Sequence, residues 1–303
     1  MRIVITGGTG LIGRALAGRL AADGHEVVCL SRAPERHEAA MPNGVQLAAW
    51  DGRTDDGWGA LADGAGAIVN LAGENLAEGR WTADRKRRIL DSRVDAARAV
   101  VEAVENAASK PEVVVQASAV GYYGPRGTEP VDEQAQPGSD FLAGVCLAAE
   151  GAVTRLRELG VRVPVARTGI VLSADGGALP RMAMPFKLFV GGPLGSGRQA
   201  FPWIHIDDEI AALEFLISHD GADGPYNLTA PTSVTNAEFS SALGRTLGRP
   251  ALLPVPSFAL QLAFGEMSTA LLDGQRAVPT RLQEAGFEFA HPETDAALRD
   301  LLA

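Results

Sequence analysis

Six short apolar runs recur between residues 2 and 167 of this 303-residue chain: Arg2 to Thr6, Glu26 to Ser31, Val45 to Ala49, Ala67 to Leu71, Val113 to Ala117 and Val163 to Arg167. None alternates cleanly between apolar and polar residues. A strand with one wet face alternates, whereas a strand covered on both faces does not. Between the runs lie segments with helical spacing: Leu11 to Ala22, Phe141 to Leu159, and Thr82 to Ala107 with Ile89, Leu90, Val94, Ala97, Val101 and Val104 on one side. Strand and helix therefore alternate, which predicts an α/β fold: a Rossmann-type doubly wound parallel sheet with right-handed crossovers.

After Arg167 the chain becomes rich in glycine and proline, from Gly176-Gly177 to Gly197. A strand-like run Phe201 to Ile206, a helix Asp207 to His219 and Tyr226-Asn227-Leu228 follow, and this piece is expected back on the sheet. Beyond Pro231, helices are expected over Asn236 to Leu247, Ser257 to Leu272 and Thr294 to Leu302. The expected division is a dinucleotide-binding domain from 1–170 and 201–230, and a smaller, mostly helical domain from 171–200 and 231–303.

The stretch Thr6-Gly7-Gly8-Thr9-Gly10-Leu11-Ile12-Gly13 follows the first strand and opens the first helix. Glycines in that context let a backbone come close to a pyrophosphate and let helix and strand pack tightly, while the helix start offers unpaired amides. Gly7, Thr9, Gly10, Leu11, Ile12 and Gly13 are the expected contacts. An acidic residue at the end of the second strand would bind a ribose 2′-hydroxyl. Here Ser31-Arg32 stands instead, and a guanidinium pairs with a 2′-phosphate. The expected cofactor is therefore NADP(H).

Net charge of −10 argues against a general nucleic-acid binder. No apolar run approaches the length of a membrane span. Cys29 and Cys146 give neither a disulfide framework nor metal-ligand spacing, which points to a reducing cytoplasm and to no metal site. Arg80, Arg85, Lys86, Arg87, Arg88 and Arg93 form a basic cluster that reads either as a solvated helix face or as an anion contact.

Taken together, Thr6 to Gly13, Asn70-Leu71-Ala72-Gly73-Glu74-Asn75, Ser92-Arg93-Val94, Gly121-Tyr122-Tyr123-Gly124, Arg167 to Leu172, Phe201 to Asp207, Pro279-x-Arg281-Leu282 and Gly286-Phe287 resemble an extended short-chain dehydrogenase/reductase. More closely, they resemble the atypical epimerase-family proteins with their own C-terminal helical extension. The resemblance implies that Leu71, Ala72 and Gly73 line the nicotinamide-side ribose, that Asp51 meets the adenine, and that Arg93 reaches the cofactor phosphates. It also implies that Ser118 is the active-site serine.

The family's next element, a tyrosine followed four residues later by a lysine, is absent. Aligning on Glu150 puts Leu142 and Cys146 there, and shifting by one gives Phe141 and Val145. Tyr122 and Tyr123 are the nearest substitutes for a proton donor, with Tyr122 the expected catalytic residue beside Ser118. Glu74 is a further candidate, as acid, ligand or support for one. His205 reads as a structural histidine rather than a base, and Cys146 as a buried thiol rather than a nucleophile. Arg167 and the Gly191 to Gly197 loop are expected to contact substrate.

Three functions compete: an NADP(H)-dependent oxidoreductase of a small carbonyl or alcohol, a nucleotide-sugar epimerase or dehydratase, and a non-catalytic NADP(H)-binding regulator. The expected partners are a small-molecule substrate and at most a second copy of the chain, with neither nucleic acid nor membrane.

Overall fold

All six apolar runs pair in one parallel sheet in the computed structural model, which describes residues 1–302. In chain order the elements that position the site are β1 (Arg2–Thr6), α1 (Leu11–Ala22), β2 (Glu26–Ser31), β3 (Val45–Ala49), β4 (Ala67–Asn70), α2 (Ala83–Asn106), β5 (Val113–Ala119), α3 (Phe141–Ala152), β6 (Pro164–Thr168), β7 (Ile170–Ser173), α4 (Ala178–Lys187), β8 (Trp203–His205), α5 (Ile206–Ser218), β9 (Gly224–Leu228), α6 (Asn236–Leu247), α7 (Ser257–Phe264) and α8 (Thr294–Leu302). The sheet runs β3-β2-β1-β4-β5-β6-β9. Strand order reverses between β1 and β4, the place where doubly wound sheets bind ligands.

The missing alternation has a simple cause. Ile3, Ile5, Val27 and Cys29 face one side, under α1 and α5, with Leu16, Leu20 and Leu213. Val4, Val28, Leu30 and Ile68 face the other, under α2, with Ala96, Val100 and Val104. Helices on both faces bury odd and even positions alike.

Three sequence expectations are corrected. The strand-like run near 203 leaves the main sheet and pairs with β7, whose other edge pairs with Gly176–Gly177, in a separate three-stranded sheet. The chain departs at Gly169, where a β-carbon would lie 2.5 Å from the Pro202 carbonyl oxygen. The helix expected to Leu159 ends at Ala152, and a 3-10 stretch, Thr154–Leu159, follows. There the Thr154 hydroxyl takes the Gly151 carbonyl, a local bond that competes with the helix ladder. The helix expected over 257–272 breaks at Gly265, whose φ of 62° is left-handed.

A second core gathers Leu179 and Phe186 of α4, Phe239 and Leu243 of α6, Leu298 of α8, and Phe201 and Trp203. The Thr235–Glu238 capping box starts α6.

Packing at the glycine loop sets the first prediction. A β-carbon on Gly13 would lie 2.5 Å from the Gly7 carbonyl oxygen and 2.6 Å from the Gly8 α-carbon. Gly13→Ala is expected to cost about 1–3 kcal/mol, read as a lower urea midpoint at unchanged m-value. An unmoved midpoint would mean that the loop accommodates the methyl.

Candidate functional site

A polar stitch fixes the strand ends at the switch point. The Thr6 hydroxyl donates to Asn70 Oδ1 (2.5 Å), Asn70 Nδ2 donates to Gln116 Oε1 (2.8 Å), and the Ala72 amide donates to Thr6 Oγ1 (3.2 Å). This holds Leu71 to Gly73 beside the glycine loop. Gly7, at φ 66°, lies so close that a β-carbon would be 2.8 Å from the Leu71 carbonyl carbon. A β-carbon on Gly8 would be 2.4 Å from the Cys29 sulfur. Gly10 differs: it is exposed, and its β-carbon would meet only the Gly7 carbonyl, at 3.3 Å. Gly7, Gly8 and Gly13 thus serve packing, and Gly10 leaves open approach to the backbone. No side chain caps α1 and no acid lies in its first turn, so the amides of Leu11, Ile12 and Gly13 suit an anion.

At the end of β2, Ser31 is buried, and its Oγ accepts the Ala33 amide, which leaves its hydrogen to donate. Arg32 is exposed, runs along Gly52, and has no acidic partner among the described residues. Asp51 caps the following turn, accepting from the Arg53 and Thr54 amides and the Thr54 hydroxyl. Those bonds, Thr54's first, hold its carboxyl below the usual range.

A cavity of about 290 Å³ continues from this end. Its walls include Leu71, Ala72, Gly73 and Arg93, then Ser118, then Asp140 at the start of α3 with Leu142 and Cys146 on it, and Thr269, Asp273 and Gln275 of the C-terminal part. The place of the absent tyrosine and lysine is therefore in the wall, occupied by an isobutyl group and a thiol. Burial pushes the Cys146 thiol up.

Ser118 donates to Glu150 Oε1 at 2.6 Å. Arg167 grips the same carboxylate twice, Nε to Oε1 at 3.0 Å and Nη2 to Oε2 at 2.8 Å, and its Nη1 donates to the Tyr123 hydroxyl and the Glu133 carbonyl. Tyr123 donates in turn to Asn227 Oδ1 at 2.7 Å. Burial pushes its phenol up to about 12, too high for proton exchange near neutrality.

Sequence reading took Glu150 only as an alignment marker and missed this network. The available signal was a lone carboxylate in the apolar Phe141–Ala152 helix and a lone guanidinium in an apolar strand.

Several expected site residues stand elsewhere. Tyr122 is off the cavity wall, its ring 3.4 Å from the Arg167 guanidinium carbon. Arg167 is committed to Glu150 and Tyr123, so it is not free for substrate. The Gly191 to Gly197 loop packs on Phe186 and Leu253 instead of the cavity. Glu74 also lies outside the wall and pairs with Arg85 (2.8 Å) and Arg88 (3.2 Å). The basic cluster is satisfied internally: Arg80 on the carbonyls of Leu262 and Ala263, Lys86 on Glu266, Arg87 on Asp84. Arg93 is part-buried against Gly73 and gives Nη1 to the carbonyls of Ile89 and Glu74.

His205 caps α5, its Nδ1 accepting the Asp207 amide. Burial first, then His291, lower its pKa. Asp207, His291 and Asp300 place ligand-type atoms within 4.8 Å of it and one another. The two imidazoles are stacked at 3.7 Å and 18°, so their in-plane lone pairs run side by side and do not converge. No helix among the described residues is long and apolar enough to cross a membrane.

A doubly wound sheet, an uncapped glycine turn and a serine-floored cavity beside β4 and β5 define a dinucleotide-binding protein of the atypical extended short-chain dehydrogenase/reductase class. Residues 3–229 match the NAD dependent epimerase/dehydratase family and residues 255–301 match a domain of unknown function, DUF1731. The chain belongs to that epimerase family. It is 41% identical to epimerase family protein ML0860 of Mycobacterium leprae, covering 98% of this chain and 94% of that protein. Human epimerase family protein SDR39U1, crystallised with NADPH, superposes with a TM-score of 0.89 at 37% identity over 99% of both chains. A nucleoside-diphosphate sugar epimerase from Corynebacterium glutamicum superposes at 0.79 with 34% identity, over 100% of this chain and 58% of that one.

Glu209 sits under the cavity. Its Oε1 accepts the hydroxyl of Thr168, a wall residue, and its Oε2 is buried without a partner. Burial pushes this carboxyl up to about 8. Between the ordinary carboxylate value and 8, the unfolded chain has released a proton that the folded chain retains, so stability falls as pH rises through that window. Glu209→Gln removes the titration. Chemical denaturation at pH 5 and pH 8 is expected to show the variant gaining on the native protein at the higher pH; parallel behaviour would place the carboxyl's titration lower.

Proposed function

We propose that this chain is an NADP(H)-dependent oxidoreductase acting on a small carbonyl or alcohol. The observation that carries the reading is the join between an uncapped glycine turn and a cavity floored by Ser118. Gly7, Thr9, Gly10, Leu11, Ile12 and Gly13 would hold the pyrophosphate, Ser31 and Arg32 the 2′-phosphate, Asp51 the adenine side, and Leu71, Ala72 and Gly73 the nicotinamide-side ribose, with Arg93 directed to the phosphates. When bound, the coenzyme supplies the hydride chemistry, and the chain positions the substrate. NADPH in the human relative's crystal supports the phosphorylated coenzyme. Tyr122 has no cavity face from which to supply a proton. We assign the substrate side to 171–200 and 231–303 and place the protein in a reducing cytoplasm, with Cys29 and Cys146 free and buried, as monomer or homodimer.

Two observations favour other readings. Leu142 and Cys146 in the wall suit a binder that has lost turnover. The name of the C. glutamicum relative suits sugar epimerisation, but that cycle needs reversible proton abstraction from a hydroxyl, and no wall residue matches the absent pair.

Calorimetric titration is expected to show NADPH binding about tenfold or more tighter than NADH, with Arg32→Asp abolishing the difference. Equal affinities would remove the 2′-phosphate assignment. A carbonyl screen following NADPH absorbance should find turnover that Ser118→Ala lowers by about a hundredfold; saturable binding without turnover would select the regulatory reading.

A further inference from the structure

The hydroxyl and thiol donors around the cavity are directed into the protein. Ser118 gives its single hydrogen to Glu150, and that carboxylate, gripped through both oxygens by Arg167, only accepts. The Cys146 thiol donates to the Ala119 carbonyl at 3.7 Å, Thr168 to Glu209 at 2.8 Å, and Thr269 to the Glu266 carbonyl at 2.9 Å. Arg93 lies on Gly73, at the coenzyme end.

What remains toward the substrate half is acceptors. Ser118 presents lone pairs. Asp140 accepts the Ala143 amide with Oδ1 and keeps Oδ2. Asp273, across the opening, has no ion-pair partner among the described residues; burial, then the Asp140 charge, push its carboxyl up, as expected where two acids share a mouth without a cation. Gln275 is the one wall side chain with an amide donor. A nucleoside diphosphate needs the reverse, cations and donors.

We infer that the substrate half of this cavity recognises a hydrogen-bond donor, specifically a small alcohol carrying an ammonium group, and rejects carboxylates and nucleoside diphosphates. This rests on the oxidoreductase reading and names its substrate class. The substrate hydroxyl donates to Ser118 and the ammonium faces Asp140 and Asp273. On oxidation the carbinol C–H bond breaks, its hydride passes to the NADP+ nicotinamide, and the hydroxyl proton leaves to water, so that a carbonyl and NADPH result. Glu150 is a positioning residue, because it sets which way the Ser118 hydrogen points.

The test uses the full chain saturated with NADPH, which blocks turnover. Isopropanolamine, propylene glycol and lactate, near-isosteres of charge plus one, zero and minus one, are titrated calorimetrically, with UDP-glucose as a fourth probe. Isopropanolamine is expected to bind about tenfold tighter than lactate, and UDP-glucose not to saturate. Asp273→Asn, at an exposed residue, should shrink that ratio to about threefold. Glu150→Ala, checked for folding by circular dichroism, removes the acceptor behind Ser118, frees its hydrogen to turn toward the cavity and shifts preference toward lactate. Lactate or UDP-glucose binding as tightly as isopropanolamine, no binding by any probe, or an unchanged ratio in Asp273→Asn overturns the inference while the coenzyme assignment stands. Failure to saturate with NADPH overturns the proposed function and this inference with it.

Discussion

The Glu150–Arg167 ion pair is the constraint on which the substrate side depends. Its guanidinium side chain is 4% exposed and its carboxylate side chain 14%, so both charges have given up most of their water. Such a pair is tolerable only when the geometry is near ideal and the remaining donors and acceptors are met. Here two parallel N–H bonds, the Ser118 hydroxyl, the Tyr123 hydroxyl, the Glu133 carbonyl and the Tyr122 ring meet them. The pair joins α3 to β6 directly behind β5. That fixes Ser118 at the floor and pulls the Tyr122-Tyr123 turn onto the arginine and away from the cavity.

The same polar seam continues into the C-terminal part. Glu133 Oε1 accepts the amides of Asn227 and Arg281, Asn227 Nδ2 donates to the Val278 carbonyl, and Arg276–Ala277 pairs with Pro130–Val131. Burial pushes the Glu133 carboxyl up, a cost accepted for tying three segments distant in sequence. The consequence is positional. With residues 276–281 pinned beside β9, the preceding segment brings Thr269, Asp273 and Gln275 across the cavity opening. The C-terminal extension is therefore a wall of the site, held by the network that holds its floor.

The sheet was legible because burial on both faces writes itself into sequence as unbroken apolar runs, and all six came out within two residues. The largest difference is at Val113–Ala119, which continues two residues further, to Ser118 and Ala119, paired with β6. The 203–205 strand was misplaced because its partner, β7, exists only by virtue of the bend at Gly169, a contact with Pro202 that no periodicity announces. Roles of single side chains were the least legible. Arg167 and Glu74 read as free charges because their partners lie 17 and 11 to 14 residues away on other elements.

The two halves of the cleft differ in what they ask of a sequence. A pyrophosphate is held by backbone amides, and those are freed by glycine and by the lack of a cap, both visible in a one-dimensional string. A substrate is held by side-chain hydrogens whose direction depends on what lies behind each hydroxyl. Ser118 has the same letter whether it donates forward to a carbonyl or backward to Glu150, yet the two states bind opposite ligands. Likeness in fold to a nucleoside-diphosphate sugar epimerase therefore leaves the substrate half undetermined. The hydrogen on Ser118 decides it, and the Arg167 guanidinium that keeps Glu150 an acceptor decides where that hydrogen goes.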